Sequence, residues 1–139
     1  MPDKEIIQRR INAFLETYNN LKKYENITSE DFKQNLDLLW ILERGLYLLI
    51  QNLLDIFSHI VASDFNERWN NYTDIPEILF NNNFIQEEQR KLLNQMIGFR
   101  NRLAHEYLSL DKEVLQNIIN HKLPELFRFL TLIKDYCKL

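Results

Sequence analysis

Between residues 38 and 57 the chain is apolar on nearly every side of a helix, with Leu38, Leu39, Trp40, Ile41, Leu42, Leu46, Tyr47, Leu48, Leu49, Ile50, Leu53, Leu54, Ile56 and Phe57 in one window. A single neighbouring helix cannot cover that circumference. The segment is therefore either the central helix of a bundle or a helix that lends one face to a second subunit, because exposed apolar surface of this extent marks an interface. Two glycines and three prolines in 139 residues leave too little turn chemistry for a many-stranded sheet. Long helices are expected instead. With 45% hydrophobic residues, a chain of this size buries roughly two thirds of its unfolded surface, which excludes intrinsic disorder.

Periodicity divides the remainder. Ile7, Ile11, Phe14, Leu15, Tyr18 and Leu21 recur at spacings of three and four, which predicts an amphipathic helix over about 4–24. Thr28 and Asp31 read as a capping pair that opens a long helix over roughly 29–62. Residues 63–75 read as a surface connection, and Pro76 suits the first turn of a short helix over 76–80. A fourth long helix is expected from Gln86 to about Ala104, with Leu92, Leu93, Met96, Ile97 and Leu103 inward. Asp111 caps the last, whose apolar positions run from Val114 through Phe127 to Tyr136, with a kink or break at Pro124. The expectation is one all-α domain over 1–139, an antiparallel bundle of four long helices plus one short helix.

Charge and cysteine content narrow the function. Seventeen Lys and Arg against twenty Asp and Glu give a formal charge of −3, so an anionic partner must be held by a local basic cluster. One cysteine and three histidines with no zinc spacing give no metal site and fit a reducing cytoplasm. The charged N-terminus lacks a signal peptide's apolar stretch. The most apolar run, 46–50, reads as too short to span a bilayer, so no membrane role is expected.

Chemistry concentrates in Gly98-Phe99-Arg100-Asn101-Arg102-Leu103-Ala104-His105-Glu106-Tyr107. On a continuing helix Asn101, Arg102 and His105 share a face, with Arg100 at its shoulder. Fixed positive charge beside an imidazole is what cleavage of RNA by its own 2′-hydroxyl requires: arginine offsets the charge growing on the phosphate while histidine moves a proton. The competing reading is that Arg and His gather at a helix C-terminus simply to complement the dipole and its free carbonyls.

The Arg-x4-His pattern of Arg100 and His105, with polar Asn101 beside the arginine, resembles the signature of the HEPN superfamily of ribonucleases. The string Met96-Ile97-Gly98-Phe99-Arg100-Asn101-Arg102-Leu103-Ala104-His105-Glu106-Tyr107 resembles more narrowly the HepT-like toxins, whose motif is Arg-x4-His-x-Tyr. The bundle order, the length and the 55–60 segment fit as well. The resemblance implies a toxin of a type VII-like toxin–antitoxin pair, acting as a homodimer and as a metal-independent RNA endonuclease without cofactors. Its partner would be a minimal nucleotidyltransferase antitoxin that silences it by adenylylating the motif tyrosine. Carried over, Arg100 and His105 are catalytic, Asn101 orients, and Tyr107 accepts the adenylate. Arg102, outside the minimal pattern, is expected to contact phosphate. The alternative in the same superfamily is a non-catalytic nucleotide- or protein-binding partner of a nucleotidyltransferase.

Other candidates have plainer readings. Asp55 and His59, four apart, are half a metal site at most and are expected to serve structural hydrogen bonds or to line the cleft. Glu43 and Arg44 read as an exposed or interfacial ion pair, and His121 as solvated. Trp40 and Trp69 are expected in core and loop packing.

Overall fold

A computed structural model describes residues 2–105 and 110–139, and among these the chain is helical with no strand. Helix α1 spans Lys4–Lys22, α2 Ser29–Gln34, α3 Leu38–Ile60, α4 Asp74–Asn81, α5 Glu87–Leu103, α6 Lys112–Asn117 and α7 Leu123–Cys137. Wide π-helical turns follow α3 at Val61–Phe65 and α6 at Ile118–Lys122.

The centre is α3. It buries Leu38, Leu42, Leu46, Leu49, Ile50, Leu53, Leu54, Ile56, Phe57 and Ile60, and α1, α5 and shorter stretches of α2, α4 and α6 pack around it. This is the central-helix solution to its apolar circumference. With its π turn, the helical stretch Leu38–Phe65 is long and apolar enough to cross a membrane by length and composition, unlike the short run read from the sequence, but half of its most apolar window is buried inside the bundle. A Cβ at Gly45 would stand 2.6 Å from Leu21 Cδ2 of α1, so a larger residue there would force that side chain to shift.

Caps set most boundaries. Asp3 accepts from the backbone N–H groups of Glu5 and Ile6, and Thr28 and Asp31 form the expected reciprocal box at α2. The single helix expected over 29–62 is interrupted. Asn35 takes an extended backbone and its Oδ1 accepts from Asp37 N at 3.1 Å, a local bond that competes with the helical one. Apolar periodicity runs on across the break, which is why sequence pattern alone did not reveal it. The α-helical ladder is broken just before Pro124, as expected: the π turn Ile118–Lys122 precedes it, and Pro124 falls in the first turn of α7, where an N–H is not needed.

Asparagine performs glycine's usual task at the helix ends. Among the described residues, four non-glycine positions have positive φ, and three are Asn26, Asn66 and Asn83, at 68°, 48° and 59°. Short amide side chains tolerate the left-handed region better than other residues do. Asn120 adds a clamp, its amide pairing with both backbone groups of Ile27 at 3.1 Å.

Three apolar positions depart from expectation. Trp40, read as core, is 73% exposed, and Val114 and Phe127 lie at the surface, the Phe127 ring 5.0 Å from that of Tyr18. Leu36 and Ile41 are exposed near Trp40, so the start of α3 carries an apolar strip that the bundle does not cover.

Helix α7 is tied to the turn after α3 by the hydroxyl of Tyr136, which donates to Asp64. Burial and this bond push Tyr136 from 10.0 up to about 12. Burial pushes the Asp64 carboxyl up, but hydrogen bonds from Tyr136 and Ser63 hold it below its ordinary value. The raised tyrosine contributes stability that is intact below pH 10 and lost as pH rises through about 12. The lowered carboxyl contributes stability that is lost on the acid side of the carboxylate range. Tyr136→Phe is expected to have a lower thermal midpoint than the wild type at neutral pH and a shallower alkaline decline. Parallel midpoint-against-pH curves would refute this.

Candidate functional site

The site lies where the C-terminal end of α5 meets α3. Asn101, Arg102 and His105 do not share a continuing helical face. Helix α5 ends at Leu103, Ala104 is its cap, and the last bonds run from Ala104 N to Arg100 O and from His105 N to Arg102 O, a tightened final turn. His105 stands beyond the cap. Leu103, Ala104 and His105 line a cleft of about 360 Å³ with Trp40, Glu43, Arg44 and Tyr47 of α3. Asn101 opens onto a separate pocket with Trp69, Tyr72 and Thr73. Arg102 is exposed.

Arg100 stands between the two. Its Nε donates to Gln51 Oε1 at 2.8 Å, one terminal nitrogen to Asn101 Oδ1 at 3.1 Å and the other to the Tyr47 hydroxyl at 3.5 Å. Its guanidinium carbon lies 5.4 Å from the Tyr47 ring centroid and 4.7 Å from that of Tyr72, over both faces. None of these partners is a helix-end carbonyl. The dipole reading therefore does not account for Arg100, although Arg100 and Arg102 do sit in the last turn, where positive charge is favoured.

Gln51 is fixed in turn. Its Nε2 donates to Asp55 Oδ1 at 2.9 Å and to the Tyr72 hydroxyl at 3.1 Å, so the reversed amide would face Arg100 with a donor and is excluded. Asp55 also meets Arg10 of α1 at 3.4 Å, a half-exposed contact of small energetic worth. His59 accepts from Asp3 N at 3.4 Å. Asp55 and His59 thus each have structural partners, and neither lines the cleft. Glu43 and Arg44 are not a pair: Glu43 accepts from Leu110 N at 2.9 Å, and the Arg44 guanidinium lies 5.5 Å from the Tyr47 ring centroid. His121 is exposed, as expected. Tyr107 lies outside the described residues.

The contrast with Arg90 on the same helix is informative. Arg90 meets Glu77 at 2.8 Å and Glu87 through Nε at 2.9 Å, and these carboxylates drive its proton affinity upward. Arg100 makes no ion pair among the described residues and is held by neutral oxygens and aromatic faces. Its charge is oriented but not cancelled, which suits it to an external anion.

Sequence reading missed Tyr47, Gln51, Tyr72 and Arg44. The signal was present for two of them, Tyr47 and Gln51: Glu43, Tyr47, Gln51, Asp55 and His59 recur every four residues along the mainly apolar helix. Arg44 falls outside that series. Tyr72, from the connection before α4, had none. Among the described residues, no group of three or more His, Cys, Asp or Glu side chains could hold a metal ion.

Known proteins resemble this chain over most of its length. The family described as Ribonuclease HepT-like matches residues 14–133. The tRNA nuclease HepT of Aphanizomenon flos-aquae is 29% identical over 132 residues, covering 94% of this chain and 89% of the relative. The mRNA nuclease HepT of Shewanella oneidensis is 26% identical over 103 residues, covering 74% and 77%. The solved structure of a tri-AMPylated Shewanella oneidensis HEPN toxin in complex with MNT antitoxin shares the fold, with a TM-score of 0.84 at 24% identity over 97% of this chain and 99% of that one.

Replacing Gln51 with leucine removes the acceptor from Arg100 Nε and the donor to Tyr72 and Asp55. We expect a stability loss of about 1 kcal/mol per broken bond in chemical denaturation, and faster solvent exchange of the Arg100 Nε–H in ¹H–¹⁵N spectra. Unchanged exchange would show that Gln51 does not hold the guanidinium.

Proposed function

The chain belongs to the HepT-like ribonuclease family, and from that premise we propose that it is the toxin of a toxin–antitoxin pair, an RNA endonuclease that works without metal. The observation that carries this reading is the place of Tyr47, which touches Arg100 and shares a cleft with His105. Through it the uncancelled guanidinium and the imidazole address one space. In the proposed reaction the 2′-hydroxyl attacks the adjacent phosphorus and the bond to the 5′-oxygen breaks. One imidazole takes the 2′ proton and another supplies a proton to the leaving oxygen, while Arg100 offsets the charge on the non-bridging oxygens. Asn101 orients the guanidinium, and Arg102 and Arg44 bind neighbouring phosphates. The names of the two nuclease relatives support RNA as substrate and leave its class open between tRNA and mRNA.

RNA incubated with the protein in EDTA should yield 2′,3′-cyclic phosphate and 5′-hydroxyl ends. Arg100→Ala and His105→Ala should each lower the rate on the order of 10²- to 10⁴-fold with the fold intact. A wild type that binds but never cuts RNA would favour the non-catalytic partner instead, and activity that needs added magnesium would end the metal-free mechanism.

In-line cleavage profits from a base and an acid on opposite sides of phosphorus, and one motif supplies one imidazole, so in this reading the active form is a homodimer. Leu36, at 84% exposed, and Ile41, at 44%, continue the strip of Trp40. Trp40 and Arg44 line both the His105 cleft and a groove of about 580 Å³ between α1 and α3. A second copy seated on this strip adjoins the site. The cognate partner, in the same cytoplasm, is a nucleotidyltransferase antitoxin; the solved complex of a HEPN toxin with MNT antitoxin supports the pairing. It silences the toxin at Tyr107, whose phenolic oxygen attacks the α-phosphorus of ATP and displaces diphosphate. Sedimentation at micromolar concentration should return the mass of two chains. Co-expression with the nucleotidyltransferase should add mass in adenylate steps that Tyr107→Phe abolishes. A fully active monomer, or a Tyr107→Phe protein still modified, would each overturn its part of this assignment.

A further inference from the structure

We infer that the pocket on the other side of Arg100 is a nucleobase subsite, which seats an RNA base beside the phosphate that Arg100 holds. The inference rests on the ribonuclease reading and deepens it. The pocket, of about 400 Å³, is lined by Trp69, Asn70, Asn71, Tyr72, Thr73 and Asn101, and its size falls in the small-ligand range of roughly 300–1,000 Å³. None of the six carries a charge at neutral pH. Three amides, a hydroxyl and a phenol offer donors and acceptors together, while two aromatic rings offer flat apolar surface. That combination suits a planar, uncharged, hydrogen-bonding ligand, as unpaired RNA bases are when they stack on aromatic side chains and bond along their edges.

A phosphate is poorly served there. Among the described residues no cation lines the pocket, and the Asp74 carboxylate stands behind its loop, held in its charged form by backbone N–H groups of Asn71 and Asn70 at 3.1 and 2.9 Å. The pocket is nonetheless coupled to Arg100 twice. Asn101 lines it and accepts from the Arg100 guanidinium. Tyr72 carries the Trp69 ring stacked at 5.1 Å and 24°, lies under the guanidinium at 4.7 Å and is held through its hydroxyl by Gln51. The half-buried indole of Trp69, read from the sequence as loop packing, therefore belongs to an aromatic ladder that ends on the phosphate-binding arginine. A nucleotide spanning the two would place its base against Trp69 and its phosphate on Arg100.

Two measurements test this. In a Trp40→Phe background, Trp69 is the only tryptophan. At least one of the four nucleoside 5′-monophosphates should then quench its fluorescence saturably, and ribose 5-phosphate, with the same phosphate and no base, should not. Quenching by none of the four, or equally by ribose 5-phosphate, overturns the subsite. In the otherwise wild-type protein, Trp69→Ala should raise KM for a short single-stranded RNA on the order of tenfold. Its kcat should stay within about twofold, and the base preference next to the cut should flatten. Trp69→Phe should restore both. Should Trp69→Ala fail to fold, Asn71→Ala, which keeps the backbone donor to Asp74, should shift the base preference in its place. Unchanged KM and cut-site distribution alongside nucleotide quenching would assign the pocket to a free nucleotide and overturn its role in RNA. A wild type that cuts no RNA defeats the ribonuclease reading, and the quenching measurement then decides whether a base binds.

Discussion

Everything near the site depends on the burial of α3. A helix apolar round most of its girth must be wrapped, and α1 and α5 do the wrapping on two sides. Within that wrapping, polar side chains recur every fourth residue along α3 and wind round it, and each has a use. Glu43 receives Leu110 N, Tyr47 and Gln51 receive Arg100, Asp55 receives Gln51, and His59 receives the N-terminus of α1. A side chain on a buried helix loses little further entropy when it makes such a bond. The core therefore serves the site directly: Tyr47 and Gln51 are the acceptors against which α5 presents Arg100.

The way Arg100 is held follows from those acceptors. A carboxylate opposite the guanidinium would stabilise it more strongly, as Glu77 and Glu87 do for Arg90, but would also cancel the charge that an anionic ligand needs. Gln51 supplies the geometry of an acceptor without the charge. Asp55 stands one residue further back in the chain of bonds, where it orients the amide. The aromatic faces of Tyr47 and Tyr72 favour the cation without competing for its hydrogen-bonding fork.

Helix ends matter as much as helix faces here. With two glycines in the chain, Asn26, Asn66 and Asn83 take the left-handed positions that let helices stop and reverse. The stop of α5 at Leu103 shapes the candidate site, since it takes His105 off the helical face and into the cleft with Tyr47, and leaves Asn101 to the neighbouring pocket. A motif that reads as one stripe in sequence is distributed round Arg100 in space.

Periodicity, caps and the scarcity of glycine were enough to determine an all-α chain built round residues 38–57, because they are local properties that the hydrophobic effect acts on directly. The motif's residue types were enough to relate the chain to its family, and they name Arg100 and His105 as the candidate site. The break at Asn35 was hidden because its local side-chain bond leaves the apolar spacing intact. The exposure of Trp40 was hidden because which part of a central helix outruns its neighbours depends on their lengths and crossing points, and these exist only in three dimensions. The partners of Arg100 come from positions 49 and 53 residues earlier and from the connection before α4, and no spacing rule links them to it. Only the packing of α5 on α3 brings Gln51, Tyr47 and Tyr72 to one guanidinium, because hydrogen bonds and ring contacts act over a few ångströms of space and are indifferent to distance along the chain.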